Sequence, residues 1–273
     1  MRRVALLFAA IAAVGVVAGC ELLVGIEDKT QASDASVADG AGVTDGGGDA
    51  TDGAVVADPD VPCDQQPTNL FCDDFDSEPE AGDGWLWDIV MGGGTVDLST
   101  AQPESPPRSA LFMIPGAPAS AQLGQNVGTD LQTGYRLAFD LRVDLDAASF
   151  ANIPQVAPAQ LYRTSGSSDQ LTVAYVLGPG AQAYVQVFEG SAGSPTNVTL
   201  SRPPPPQAWT RIVLVYDAQQ GLTILEDGAS IGASAAAAHG APGLTSIIVG
   251  AVYSNGAGGA TTLEVDNVVL RGE

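Results

Sequence analysis

The sequence predicts an all-β sandwich carried behind a leader and a disordered tether. Three observations predict it. Apolar residues recur at period two along the C-terminal part, Gly, Pro, Asn and Asp punctuate these runs, and helix-period stretches are nearly absent. With 33 Gly, 18 Pro and only 15% charged residues in 273, long surface helices and coiled coils are disfavoured. Acidic side chains number 32 against ten Lys and Arg, a formal net charge of −22. No surface of this composition could neutralise a phosphate backbone, so nucleic acid is excluded as a partner. One His and three Cys exclude a His-rich metal site and a multi-disulfide scaffold.

Residues 1–19 read as a leader. Arg2 and Arg3 precede an apolar run from Val4 to Ala18, too short to cross a hydrocarbon core of about 30 Å and suited to a signal-peptide h-region. The run ends in Val17-Ala18-Gly19-Cys20, which resembles the bacterial lipobox. That resemblance implies cleavage before Cys20 and acylation of its sulfur. The alternatives are an ordinary secretory signal with a chance Cys and an N-terminal anchor helix. Several acyl chains, at about 0.8 kcal/mol per buried methylene, make a durable membrane anchor. Glu21 is not the Asp that retains enteric lipoproteins in the inner membrane, so the resemblance implies the outer membrane, on its periplasmic or cell-surface side. Loss of Arg2 and Arg3 leaves eight basic groups against 32 acidic ones. Such a chain is repelled by anionic headgroups and hangs from its anchor.

Residues 20–62 read as the lipidated Cys and an acidic tether. From Glu21 to Pro62 there are ten acids and one base, Lys29, and no aromatic residue. Low hydrophobicity and like-charge repulsion cannot offset the entropy of ordering. At roughly 5–6 Å times the square root of the residue number, the tether spans on the order of 30 Å. The pairs Asp39-Gly40, Asp45-Gly46 and Asp52-Gly53 are irregularly spaced, which favours a spacer over a calcium-binding repeat.

Residues 63–273 read as one domain. With Cys20 lipidated, Cys63 and Cys72 remain to pair in an oxidising compartment. A disulfide closing so short a loop contributes about 2.7 kcal/mol in the chain-entropy model. In Tyr135–Val143 large apolar residues alternate with Arg136, Ala138, Asp140 and Arg142, a strand with one buried and one wet face. Similar runs are 109–114, 170–177, 181–188, 209–216, 222–225, 246–252 and 261–270. Ala233–Ala238 lies between Gly232 and Gly240 and is allowed one short turn. Many strands with no second tether make a single sandwich.

Three segments carry a family resemblance. Phe71-Cys72-Asp73-Asp74-Phe75-Asp76, followed by Trp85 and Trp87, resembles the opening strand of concanavalin A-like jelly rolls. The run from Trp209 to Asp217, then Leu222 to Gly228, is similar to the laminin G-like core, where a Trp-led strand precedes a hairpin ending in Asp-Gly. Leu263–Leu270 resembles the closing Asp-Asn-Val strand of these domains. The resemblance covers about residues 70–271. With the lipobox and tether, the chain resembles surface lipoproteins of myxobacteria-like genomes.

The resemblance brings chemistry to weigh. Family 16 glycoside hydrolases use this sandwich and need Glu-x-Asp-x-x-Glu on one strand face, their two catalytic carboxylates about 5–5.5 Å apart. Glu264-Val265-Asp266 begins that pattern, but Val268 follows on the same face by alternation and Val269 holds the third acid position. No residue is assigned a catalytic role, and the domain is expected not to be an enzyme. His239 reads as a solvated loop residue, since no Gly-x-Ser-x-Gly elbow occurs. Gly92–Gly94 and Gly256–Gly259 lack a following Lys-Ser/Thr and are turns. No cofactor is required. Asp73, Asp74, Asp76, Asp266 and Asn267 are candidates for a structural Ca²⁺ of the kind the family holds near its terminal strands; the alternative is that they are solvated or cap turns. Trp85 and Trp87, two apart and therefore on one strand face, join Tyr162, Tyr175 and Tyr184 as candidate sugar-stacking platforms, the alternative being core packing. The expected function is non-catalytic binding of a carbohydrate or other envelope polymer. The alternatives are a divergent family 16-like hydrolase and a structural envelope protein without a small ligand.

Overall fold

The computed structural model describes Cys63 and residues 69–272, apart from 117, 129–133, 147–148, 150–152, 154, 165–169, 179, 181, 190–195, 218, 235–243, 253 and 256–258. The leader, Cys20, the tether and His239 lie outside the described residues, as does the side chain of Tyr162. The secondary-structure elements among the described residues are strands. In chain order they are β1 Asn69–Asp73, β2 Trp87–Met91, β3 Thr95–Ser99, β4 Ser109–Ile114, β5 Ser120–Gly128, β6 Gly134–Val143, β7 Gln155–Thr164 and β8 Gln170–Gly178. Then follow β9 Gln182–Glu189, β10 Thr196–Thr199, β11 Thr210–Asp217, β12 Gly221–Glu226, β13 Ala229–Ser234, β14 Leu244–Ala251, β15 Ser254–Asn255 and β16 Thr261–Gly272.

They form two eight-stranded antiparallel sheets. Sheet A runs β13-β12-β11-β6-β16-β4-β3, with β1 also paired to β16; sheet B runs β10-β9-β8-β7-β14-β5-β2, with β15 paired to β7. Alternation builds the core between them. In β6, Tyr135, Leu137, Phe139, Leu141 and Val143 point inward, and from sheet B they meet Val173, Tyr175 and Leu177 of β8 with Ile247 and Val249 of β14. Every run read as a strand from its alternation is a strand.

The outer face of β6 is not wet, contrary to the expectation from alternation: Asp140 and Arg142 are buried. The connection from β3 to β4 reaches this face. There the Ser105 amide and hydroxyl donate to the two oxygens of Asp266 at 2.9 and 3.1 Å, and Trp209 Nε1 donates to the Gln102 carbonyl at 2.7 Å. Buried charges persist there because they are paired. Arg142 meets Glu264 at 2.7 Å and Asp144 at 3.2 Å, and Arg211 meets Asp140 at 3.0 Å.

Cys63 and Cys72 are joined, with Cα atoms 5.5 Å apart. Cys72 lies within β1 and pairs with Val269 of β16. Two of the glycines required by close approach lie against aromatic side chains. A Cβ on Gly250, at φ +102°, would meet Phe112 at 2.4 Å, and one on Gly124 would meet the Trp87 indole at 2.1 Å.

Candidate functional site

The residues singled out for chemistry fall into separate places. Glu264 and Asp266 do lie on one face, the outer face of sheet A, but the step to the next residue differs from the expectation. Asn267 takes φ +48° and the β16–β6 register shifts between Asp266 and Val269. This bulge turns Val268 into the core and leaves Val269 on the outer face. The carboxylate of Glu264 is spent on Arg142 and on the Ser109 hydroxyl at 2.9 Å. No nucleophile and acid pair is assembled on this strand.

The candidate calcium ligands do not converge. Asp73 accepts from the Phe75 amide at 2.7 Å and from Trp85 Nε1, Asp74 accepts from the Asp76 amide, and Asp76 accepts from the Arg108 amide. Asp266 takes three donors from Ser105 and Asn267, while the Asn267 side chain donates to Asp140. Among the described residues no three His, Cys, Asp or Glu side chains are arranged to hold a metal ion. These oxygens bind protein donors, so the residues present do not fit a calcium site. Burial raises Asp73 to about 6 and Asp266 to about 7, and raises Glu78 to about 8 with help from Asp73 and Asp83 nearby.

The two Trp residues part company. Trp85 precedes β2, follows the turn at Gly82–Gly84, and is buried between Phe71 and Phe75 with its indole held by Asp73. Trp87 starts β2 and lies over Gly124 on the outer face of sheet B. The shared-face expectation is corrected because β2 begins only at Trp87, and the bend at Leu86 keeps Trp85 out of the strand's alternation. Tyr175 is fully buried in the core against Phe139, with burial pushing its hydroxyl pKa well up. Trp85 and Tyr175 are therefore closed as surface platforms. Tyr162 pairs with Thr172 and Ser246 in the ladder.

Tyr184 is the candidate that reaches a cavity. In β9, Ala183 and Val185 enter the core, so Tyr184 stands on the outer face of sheet B, packed against Ala157, Ala174 and Val176. Its hydroxyl accepts from Gln155 Nε2 of β7 at 2.5 Å. Burial pushes the Tyr184 pKa up, and the Gln155 hydrogen bond pulls it back in part. Tyr184 borders a cavity of about 510 Å³ with Gln182, Asn197, Thr199 and Arg202. No carboxylate is among the described residues lining it. The arrangement offers a phenol fixed by an amide, a guanidinium and amide donors, which suits proton transfer and polar recognition of a hydroxylated ligand. Sequence reasoning missed Gln155 and Arg202. The one signal for Arg202 was a cation placed directly before four rigid prolines, Pro203–Pro206.

No family model and no curated protein matches the chain. Solved structures do. An endo-β-1,4-glucuronan lyase from the fungus Trichoderma reesei is similar with TM-score 0.58 and 16% identity, over 76% of this chain and 96% of that one. Cellulose-induced protein Cip1 is similar with TM-score 0.50 and 15% identity, over 74% and 97%. An alginate lyase, AlyC3, gives TM-score 0.45 and 13% identity, over 60% and 74%. At these identities the likeness is one of fold, and the fold is the concanavalin A-like jelly-roll β-sandwich. The expectation that the domain is not an enzyme is overturned by the first likeness: this sandwich is one in which a polysaccharide lyase works. The family 16 acid pattern is incomplete on β16, and that strand alone does not decide whether the domain is an enzyme.

Proposed function

We propose that the chain is a carbohydrate-active protein of the cell envelope that takes a uronate-containing polysaccharide at the Tyr184 cavity and cleaves it by β-elimination. The observation that carries this reading is the Tyr184–Gln155 pair, standing on a cavity with Arg202 at its edge and no carboxylate in its described lining. Hydrolysis through paired carboxylates would need the acids that are missing there. Elimination needs one group that exchanges a proton. The fold it shares with a glucuronan lyase supports the same reading.

In the proposed step Tyr184 reacts as phenolate. It takes the proton from C5 of the uronosyl ring as the C4–O4 bond breaks and a C4–C5 double bond forms, then passes that proton to O4. Gln155 donates to the phenol oxygen, which favours the phenolate and fixes its position. On this reading acylated Cys20 anchors the enzyme in the outer membrane, and the tether at 21–62 holds it off the bilayer.

The test is to incubate the purified mature chain with glucuronan, alginate and a neutral β-glucan while following the ultraviolet absorbance of unsaturated sugar ends. Absorbance is expected to rise with the uronate polymers and to be lost in Tyr184→Phe. New reducing ends from β-glucan, without that absorbance and surviving Tyr184→Phe, would overturn the proposal.

A further inference from the structure

Arg202 and Glu226 form an ion pair across the rim of the sandwich. The Arg202 side chain is 58% exposed, whereas that of Glu226, the last residue of β12, is 1% exposed. The contact runs through Arg202 Nε, 2.5 Å from Glu226 Oε1, and a pair made through Nε does not require the two terminal guanidinium nitrogens. A guanidinium held by Nε presents those nitrogens as a planar fork, the geometry that grips a carboxylate through two parallel hydrogen bonds. Glu226 Oε2 is buried with no hydrogen-bond partner. A half-satisfied buried carboxylate costs stability, and replacing such a pair by apolar residues is often neutral or stabilising. Its presence behind an exposed arginine is accounted for by what it does to that arginine. In a chain of net charge −22, an anionic polymer gains nothing from long-range attraction. Its recognition falls on local cations, and Arg202 is the cation among the described residues that line the Tyr184 cavity.

We propose that Arg202 reads the carboxylate of an acidic sugar in the cavity and that Glu226 is its positioning residue, gripping Nε so that the fork faces the ligand. The proposal rests on the cavity being the polysaccharide site, as argued above. It adds which residue separates acidic from neutral polymers and what orients it.

The experiment uses the mature chain carrying Tyr184→Phe, so that ligand is not consumed, with calorimetric titration of glucuronan oligosaccharides, cello-oligosaccharides and dextran sulfate. Arg202→Gln is expected to weaken glucuronan oligosaccharide binding by about tenfold to a hundredfold, the range for a hydrogen bond to a charged group. Cello-oligosaccharide binding should not change. Arg202→Lys keeps the charge without the fork and should recover only part of the loss. Glu226→Gln keeps the shape behind Arg202 and, in the chain with Tyr184 intact, should raise KM several-fold at unchanged kcat. Unchanged glucuronan affinity in Arg202→Gln, full recovery by lysine, an equal loss on cello-oligosaccharides, or dextran sulfate bound as tightly through Arg202 would each overturn the assignment. Arg202-dependent binding without elimination by the parent chain would remove the cleavage reading and leave this one standing. Elimination indifferent to Arg202→Gln would do the reverse.

Discussion

Arg142 meets Glu264 at 2.7 Å across the β6–β16 ladder, and the pairing determines what the Glu264 carboxylate is able to do. Both partners are buried, and the Ser109 hydroxyl takes the second carboxylate oxygen. A carboxylate so engaged and so buried holds strands together and is withdrawn from the surface. Removing Arg142 alone leaves that charge buried without its partner. Arg142→Ala should therefore lower stability by about 3–5 kcal/mol, measured by urea denaturation. Glu264→Gln should leave cleavage of any polysaccharide unchanged, and a lost activity would return catalysis to this strand.

The described carboxyls with raised pKa values predict how stability follows pH. Asp266, Asp73 and Glu78 sit at about 7, 6 and 8 in the folded chain, against ordinary values of 3.8 to 4.5, mainly through burial. Between those limits the folded state binds more protons than the unfolded state, so stability falls as pH rises. For a buried group such as Asp266 the change is on the order of a few kcal/mol. Self-repulsion of an acidic chain acts in the same direction. Denaturation midpoints should be higher near pH 5 than near pH 8. Midpoints that climb over that interval would show these groups ionised at no cost.

Gly124 and Gly250 are predicted to reject a methyl group. In Gly124→Ala the new Cβ would fall inside the Trp87 indole, so the indole must swing away. The cost is about 1–3 kcal/mol, with a shift in indole fluorescence that disappears when Trp87 is replaced by Phe. Gly250→Ala should cost more, since its clash with Phe112 adds to a left-handed φ.

The proposed elimination by Tyr184 carries its own pH signature. In that step the phenolate would be the reactive form, and burial disfavours it. The rate should rise about tenfold per pH unit while the phenol remains mostly protonated. A steady-state profile that peaks in acid would exclude Tyr184 as the base.

The reading of residues 1–19 as a lipoprotein leader makes a prediction of its own. Cys20→Ser should abolish incorporation of labelled fatty acid and release the chain from the membrane fraction. Undiminished labelling would place the acyl group elsewhere.

How far the sequence could be read is seen by comparing particular elements. β6 and β4 were legible because large apolar residues recur at every second position in β6 and β4 is a compact apolar run, and their bounds differ from the reading by a residue at most; that the second face of β6 is buried as well was not legible. Strands β2, β3 and β10 were not, being short edge elements whose residues are mostly exposed or half-buried. The bulge at Asn267 reverses the faces of everything after it, and its signal was an Asn, a residue that tolerates left-handed backbone. Tyr184 was among the aromatic candidates, but nothing local separates it from Tyr175, which lies in the neighbouring strand and faces the opposite way. Gln155 and Glu226 reach the site through pairings between distant parts of the chain. Register of that kind is set by the whole fold.

The Cys63–Cys72 bridge changes how a pull on the domain is shared out. Load arriving from the N-terminal side at Cys63 crosses the sulfur atoms to Cys72 and bypasses the segment between them. It enters sheet A where Cys72 faces Val269, beyond the register irregularity between Asn69 and Phe71. The first ladder contacts to feel tension are then those in the body of the β1–β16 pair, and the weak leading end cannot be peeled away first. For a domain held by its N-terminal side, the bridge works as a strain relief, like the clamp that keeps a cable from tugging on its solder joint.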